Sequence, residues 1–235
     1  MRIFKKKVLI LGGSSDIGLE LLKKFLEKEI YKIDLHYNSN IKNFKHLKNK
    51  CNLIKADLSV SNYKNTLKKF SKNYDIIVNL VGYINNKKFE KFTIESLEKT
   101  LRINSLIPLL IIRMSITSMI KKKWGRILNS SSIGVKFGGG TKTFEYSISK
   151  HLNEFIPSHL KKIADKNVFY NVMKIGLTNT KIHKKISNKD LKIRTNLLPI
   201  KKMAKPQDIA SYIYYLSSDE NQFITNELIN ITGGE

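Results

Sequence analysis

The 235-residue chain has a single cysteine, Cys51, so it can form no internal disulfide, and a reducing compartment suits it. Its five histidines show no metal-ligand spacing, and no second cysteine is present to complete a structural zinc site; no metal is expected. Long apolar runs are also lacking. The longest, residues 106–112, is interrupted by Pro108, so no segment is expected to cross a membrane. The first seven residues lead straight into a strand-like Val-Leu-Ile-Leu rather than into a secretory leader, and a cytoplasmic location is expected. Acidic residues are few, 19 against 43 lysines and arginines, which leaves a net charge of +24. Yet arginine is scarce too: only Arg2, Arg102, Arg113, Arg126 and Arg194. The lysines are spread along the chain among many asparagines and isoleucines. That pattern reads as a solvated basic surface or one suited to an acidic partner. Without arginine clusters or a recognition-helix signature, nucleic acid ranks last among partners.

What is present alternates between short apolar runs and amphipathic segments. There is no repeat, low-complexity linker or charged tail. The length suits one α/β domain over 1–235, with a doubly wound Rossmann-type parallel sheet and helices on both faces. Strands are read at residues 7–11, 33–37, 53–56, 75–82, 125–132, 168–175 and 227–231. Helices are read at 19–29, 62–70, 94–119, 143–163 (kinked at Pro157) and 207–216, the last opened by Pro206. Residues 178–200 follow no clean period and are expected to form a mobile lid.

After the first strand comes Gly12-Gly13-Ser14-Ser15-Asp16-Ile17-Gly18. Strand, glycine turn and helix together suit a pyrophosphate, because small residues let the backbone approach and the helix N-terminus offers free N–H groups. The second strand ends in His36-Tyr37-Asn38-Ser39-Asn40, with no carboxylate to hold an NAD ribose, and Asp34 lies too early. This favours NADP over NAD, with Ser14, Ser15, Asn38 and Ser39 as polar contacts.

Residues 125–132 end in three serines, and a segment with helical spacing follows. On a helix, Tyr146 and Lys150 share one face about a turn apart. An ammonium near a phenol favours phenolate and makes a better proton shuttle near neutral pH. The spacing alone is weak, since Tyr83 with Lys87 and Tyr170 with Lys174 match it; the preceding serines set Tyr146 apart.

These motifs together resemble the classical short-chain dehydrogenase/reductase family over essentially the whole chain. Gly12 to Gly18 resembles its nucleotide turn, Asp57-Leu58 its adenine contact, and Asn79-Leu80-Val81-Gly82 its Asn-Asn-Ala-Gly element. Asn104, Ser132, Tyr146 and Lys150 fall at its catalytic tetrad, and Ile175-Gly176 with Thr178 and Thr180 at its nicotinamide site. Lys205-Pro206 and the closing Ile231-Thr232-Gly233-Gly234 fit as well. The resemblance implies reduction of a carbonyl by NADPH. Tyr146 would be the proton donor, Lys150 its partner and a ribose contact, Ser132 the polarising hydroxyl, and Asn104 the holder of a relay water. Departures are Asp16 for a glycine, Leu80 for an asparagine and Ile175 for a proline. An added residue near Gly138–Gly140 leaves Ser131 as the fallback for Ser132.

The nearest likeness is to 3-oxoacyl reductases, through residues 36–38 and 202–208. It implies an acyl carrier protein partner touching Lys123 and Lys166. Alternatives are a nucleotide-sugar or other anionic substrate, and a catalytically silent nucleotide-binding protein. A homodimer or homotetramer is implied through the helices from 94 and 143, with Leu109, Ile112, Ile116, Phe155 and Ile156 as apolar contacts.

Overall fold

Strand alternation sets the layers of this fold. β1 (Lys6–Leu11) turns Val8 and Ile10 to one face of the sheet and Leu9 and Leu11 to the other, and all four are wholly buried. A strand apolar on both faces must be covered on both, which requires parallel neighbours with crossover helices. The computed structural model, which describes residues 5–39, 47, 49–185 and 190–235, shows that arrangement. The other strands are β2 (Tyr31–Tyr37), β3 (Asn52–Lys55), β4 (Ile76–Asn79), β5 (Gly125–Ser132), β6 (Val168–Ile175) and β7 (Leu228–Ile231). They form one sheet in the order β3-β2-β1-β4-β5-β6-β7, every pairing parallel. The chain reverses its direction of travel between β1 and β4, where a doubly wound sheet opens a cleft beyond its carboxyl ends.

α1 (Asp16–Leu26) and α8 (Pro206–Ser217) cover one face, with Leu21, Leu22 and Phe25 against Ile209, Ile213 and Tyr214. α4 (Ile107–Lys122) covers the other with Ile107, Ile111, Ile112 and Met119. Shorter helices complete the layers: α2 (Tyr63–Leu67), α3 (Ile94–Leu101), α5 (Phe144–Leu152), α6 (Ser158–Lys162) and α7 (Leu191–Asn196).

Several expected boundaries are corrected. The helix expected over 94–119 is α3, a π turn at Arg102–Leu106, and α4. Pro108 has no N–H for the carbonyl of Asn104 four residues earlier, so the ladder widens there. The helix expected over 143–163 stops at Leu152, because Pro157 likewise withholds an N–H from the Asn153 carbonyl and serves as N-cap of α6. α1 starts three residues early, at Asp16, capped by Ser15, whose Oγ accepts the Gly18 N–H at 3.1 Å. Contrary to the sequence reading, the helical run Ile94–Lys122 is long and apolar enough, with a mean hydropathy of 1.6, to cross a bilayer. Here its apolar stripe lies on the sheet. Of the expected lid, residues 186–189 lie outside the described ones. The rest comprises a 3₁₀ turn at Lys181–Lys185, α7 and its flanks.

Candidate active site

The cleft at the carboxyl ends of the strands encloses about 590 Å³. Its floor is the turn after β1. Gly12 has φ +70°, and a Cβ there would lie 2.8 Å from the carbonyl carbon of Leu80 in the turn after β4. Only glycine lets these two turns touch. Gly18 is equally forced, since a Cβ would stand 2.7 Å from the Gly13 carbonyl oxygen. The result is a narrow backbone cradle at the N-terminus of an eleven-residue helix, a shape and potential that suit a pyrophosphate. Ser14, Ser15, Asp16 and Ile17 line it, as do Asn38, Ser39, Asp57, Leu58, Val81, Gly82, Gly176, Thr178 and Thr180 further along. Gly18 and Asn79 are not on its wall. Asn79 works from behind: its Oδ1 accepts the Val81 N–H at 3.1 Å and its Nδ2 donates to Asn129 Oδ1 at 2.7 Å.

Asp16 does not simply project a charge into the cradle. Its Oδ2 accepts the Lys181 main-chain N–H at 2.7 Å, and its Oδ1 lies 3.5 Å from Lys181 Nζ. The contact joins the start of α1 to the segment after β6, and a cation offsets the carboxylate. Lys181 is a site residue that the sequence reading missed, as no local pattern pairs positions 165 apart.

At the other end of the cleft, β5 sorts its serines by alternation. Ser130 and Ser132 face one way; the Ser131 hydroxyl turns aside and donates to Glu154 Oε1 at 2.6 Å, beside Lys174. The register through the glycine turn therefore brings Ser132, not Ser131, to Tyr146. The Ser132 hydroxyl accepts the Gly134 N–H at 3.2 Å and stands near enough to the phenol of Tyr146 to favour its ionised form. Lys150, on the next turn of α5, is buried. Its Nζ donates to Val81 O at 2.8 Å, Ser130 O at 3.1 Å and Ser130 Oγ at 2.9 Å. All three ammonium protons are thus placed. Ser130 was not anticipated, although its position two before Ser132 put it on the same strand face.

Burial sets the proton affinities. Desolvation pushes the Lys150 ammonium down to about 7. Tyr146 is only partly covered and opens on the cleft. The protein packed around its hydroxyl still pushes the phenol up to about 12, and the nearby Ser132 hydroxyl offsets this only in part. The expected lowering of the phenol by Lys150 is therefore not found in the chain alone. Nζ is 5.8 Å from the ring centroid, and its protons point at carbonyl and hydroxyl oxygens instead. A phenol held protonated is the form that can give a proton away.

The Asn104 side chain is held by protein partners. Its Oδ1 accepts the Tyr83 N–H at 2.7 Å; its Nδ2 donates to Tyr83 O at 3.0 Å and Ser149 Oγ at 2.9 Å. The side chain clamps the loop after β4 onto α5. The carbonyl freed by Pro108 accepts from Asn153 Nδ2 at 3.2 Å and, more weakly, from Asn79 Nδ2 at 3.4 Å. The same Asn153 amide donates to Ser130 O at 3.1 Å, so it ties the π turn to the carbonyl that holds Lys150.

A family profile described as Enoyl-(Acyl carrier protein) reductase matches residues 38–235. The 3-oxoacyl-[acyl-carrier-protein] reductase FabG of Aquifex aeolicus is 31% identical over 161 residues, 68% of this chain and 64% of that protein. The FabG of Buchnera aphidicola subsp. Schizaphis graminum is 27% identical over 100% of this chain and 98% of its own. Among solved structures, a short chain dehydrogenase/reductase family protein superposes with a TM-score of 0.83 at 19% identity, covering 100% of this chain and 98% of that one. A 3-oxoacyl (acyl-carrier-protein) reductase from Agrobacterium tumefaciens, solved with NADP bound, gives a TM-score of 0.83 at 19% identity over 99% and 96%.

Proposed function

This chain belongs to the short-chain dehydrogenase/reductase family and is an NAD(P)-dependent oxidoreductase; from that premise we propose that it reduces the 3-oxo group of an acyl thioester borne on acyl carrier protein, using NADPH. The observation that carries the reading is the hydroxyl pair of Ser132 and Tyr146 at the end of the cleft, with Lys150 behind it. Two hydroxyls converging on one point suit a carbonyl oxygen on which negative charge develops. A dinucleotide held in the cleft would supply the hydride. Ser132 orients the carbonyl, Tyr146 gives its phenolic proton to the oxygen, and Lys150 restores the balance of charge beside the phenol. The cradle of Gly12 and the N-terminus of α1 would hold the pyrophosphate.

The preference for NADPH rests on the second strand. β2 ends at Tyr37 with Asn38 and Ser39 on the cleft wall, and the Asp34 carboxylate is spent elsewhere, accepting from the Tyr74 hydroxyl at 2.6 Å and Asn52 Nδ2 at 3.0 Å. No carboxylate there opposes a 2′-phosphate. NADPH is expected to bind at least tenfold more tightly than NADH, roughly the weight of one removed repulsion. Titration calorimetry of both cofactors checks this, followed by NADPH oxidation with a 3-oxoacyl thioester, a trans-2-enoyl thioester and a nucleotide-sugar ketone. Turnover of the enoyl or sugar substrate alone would overturn the assignment.

Lys123 caps α4 and Lys166 precedes β6, so both stand at the amino ends of the strands, away from the cleft. The eight residues of β5 put them roughly 23 Å from Ser132. Within one copy they do not border the site; among the described residues Lys181 does. For self-association, Ile112 and Ile116 are spent in the chain's own core, and Ile156 is partly buried against it. Leu106, Leu109, Ile148, Leu152 and Phe155 remain exposed at 41–69% on the α4 and α5 side. These support a homodimer or homotetramer; light scattering at micromolar concentration that shows only monomer would remove that reading.

A further inference from the structure

His36 sits at the end of β2, beneath the turn that would cradle the pyrophosphate, and the sequence reading gave its side chain no role. Its ring is 3% exposed and bonded at both nitrogens. Nδ1 accepts the Gly12 N–H at 3.1 Å, and Nε2 lies 3.0 Å from the carbonyl oxygen of Ala56. A main-chain N–H can only donate, so Nδ1 carries the lone pair and Nε2 the proton. The main chain of the same residue accepts the next donor in the turn, with Gly13 N–H at 2.9 Å from His36 O. One residue therefore grips two consecutive amides of the cradle. It links them to the end of β3, one residue before Asp57 on the cleft wall.

We propose that His36 is a positioning residue of the dinucleotide site, whose neutral Nε2–H form holds the cradle in its binding shape and whose protonation releases it. This rests on the family reading of the cleft. Protonation would place an N–H at Nδ1 against the N–H of Gly12, turning an attraction into a repulsion inside a buried pocket. Gly12 touches the Leu80 backbone with no room to spare, so a shift of the turn carries into the cleft floor. Among the described residues, the charged group acting on the ring is Asp57, which favours the proton, while Phe70 meets the ring edge-on at 5.8 Å. Burial outweighs both the Ala56 carbonyl and Asp57, which favour the proton, and holds the imidazolium below its ordinary range. The sign follows: the neutral ring and its contacts are present at and above neutral pH, and are lost as pH falls below the ordinary histidine value.

The test compares the intact chain with His36→Gln. A glutamine can offer an oxygen to Gly12 and an N–H to Ala56, but it does not titrate. NADP and NAD affinities would be measured by calorimetry from about pH 7.5 to about pH 5. NAD is included because a 2′-phosphate titrates in the same range. For the unmodified chain, the dissociation constant of both cofactors is expected to rise about tenfold more across that range than for His36→Gln. His36→Leu, which can neither accept nor donate, is expected to bind weakly at every pH. Parallel pH profiles for the unmodified chain and His36→Gln would overturn the proposal. If His36→Gln does not fold, His36→Asn takes its place, and a flat profile in the unmodified chain is by itself sufficient to overturn it. Absence of any dinucleotide binding by the unmodified chain at neutral pH would instead remove the family reading of the cleft.

Discussion

Tyr146→Phe is expected to lower carbonyl reduction by about two to four orders of magnitude while NADPH affinity stays within a few-fold. Phenylalanine keeps the ring against its neighbours and removes only the hydroxyl that faces Ser132 and would protonate the product oxygen. The serines supply an internal control. Ser132→Ala is expected to cost about a hundredfold or more in turnover, as for one lost polarising donor. Ser131→Ala should cost far less, because the Ser131 hydroxyl is spent on Glu154. Stopped-flow measurement of NADPH oxidation on a 3-oxoacyl thioester reads all three variants. Full activity in Tyr146→Phe would end the catalytic assignment, and a dead Ser131→Ala beside an active Ser132→Ala would reverse the strand register.

Lys150→Met is expected to abolish turnover, weaken the dinucleotide and change how stability responds to pH. Burial pushes the folded-state value from 10.5 down to about 7. Above pH 7 the unfolded chain therefore holds a proton that the folded chain has released, and stability rises with pH. The slope from this one group is up to roughly 1 kcal/mol per pH unit. The useful window closes near pH 9, where buried Cys51, raised from 9.0 to about 11, begins to act with the opposite sign. Denaturant midpoints from pH 7 to 9 should climb more steeply for the unmodified chain than for Lys150→Met. Equal slopes would mean that Lys150 keeps its proton in the fold. Methionine retains most of the side-chain volume, so a loss of fold is not expected to obscure the comparison.

The strand positions, the glycine cradle and the Tyr146–Lys150 pairing were legible in the sequence, because each depends on residues close together in the chain; the order of the strands in the sheet, which sets β1 beside β4, was not. Short continuous apolar runs between turn residues suit strands buried on both faces, a turn that must touch another backbone needs glycine, and residues four apart on a helix share a face. The sequence also contained a signal that pattern reading passed over. Asn104 and Asn153 each stand four residues before a proline, Pro108 and Pro157, and in each case the proline leaves the asparagine carbonyl without its helical donor.

What becomes of those carbonyls was decided only by the tertiary structure. Asn153 and Asn79 reach the first, and Asn129 Nδ2 reaches the second at 3.4 Å, from elements 24 to 49 residues away in the chain. The same holds for Asp16, whose charge looked hostile to a pyrophosphate until Lys181 was found beside it, and for His36, whose tautomer is fixed by Gly12 and Ala56. It holds as well for the proton affinities. Spacing put an ammonium near a phenol and implied a lowered phenol. Burial, which no spacing records, instead raised the phenol and lowered the ammonium. Local geometry is set by neighbours in the chain, whereas desolvation and the partners of buried polar groups are properties of the packed whole.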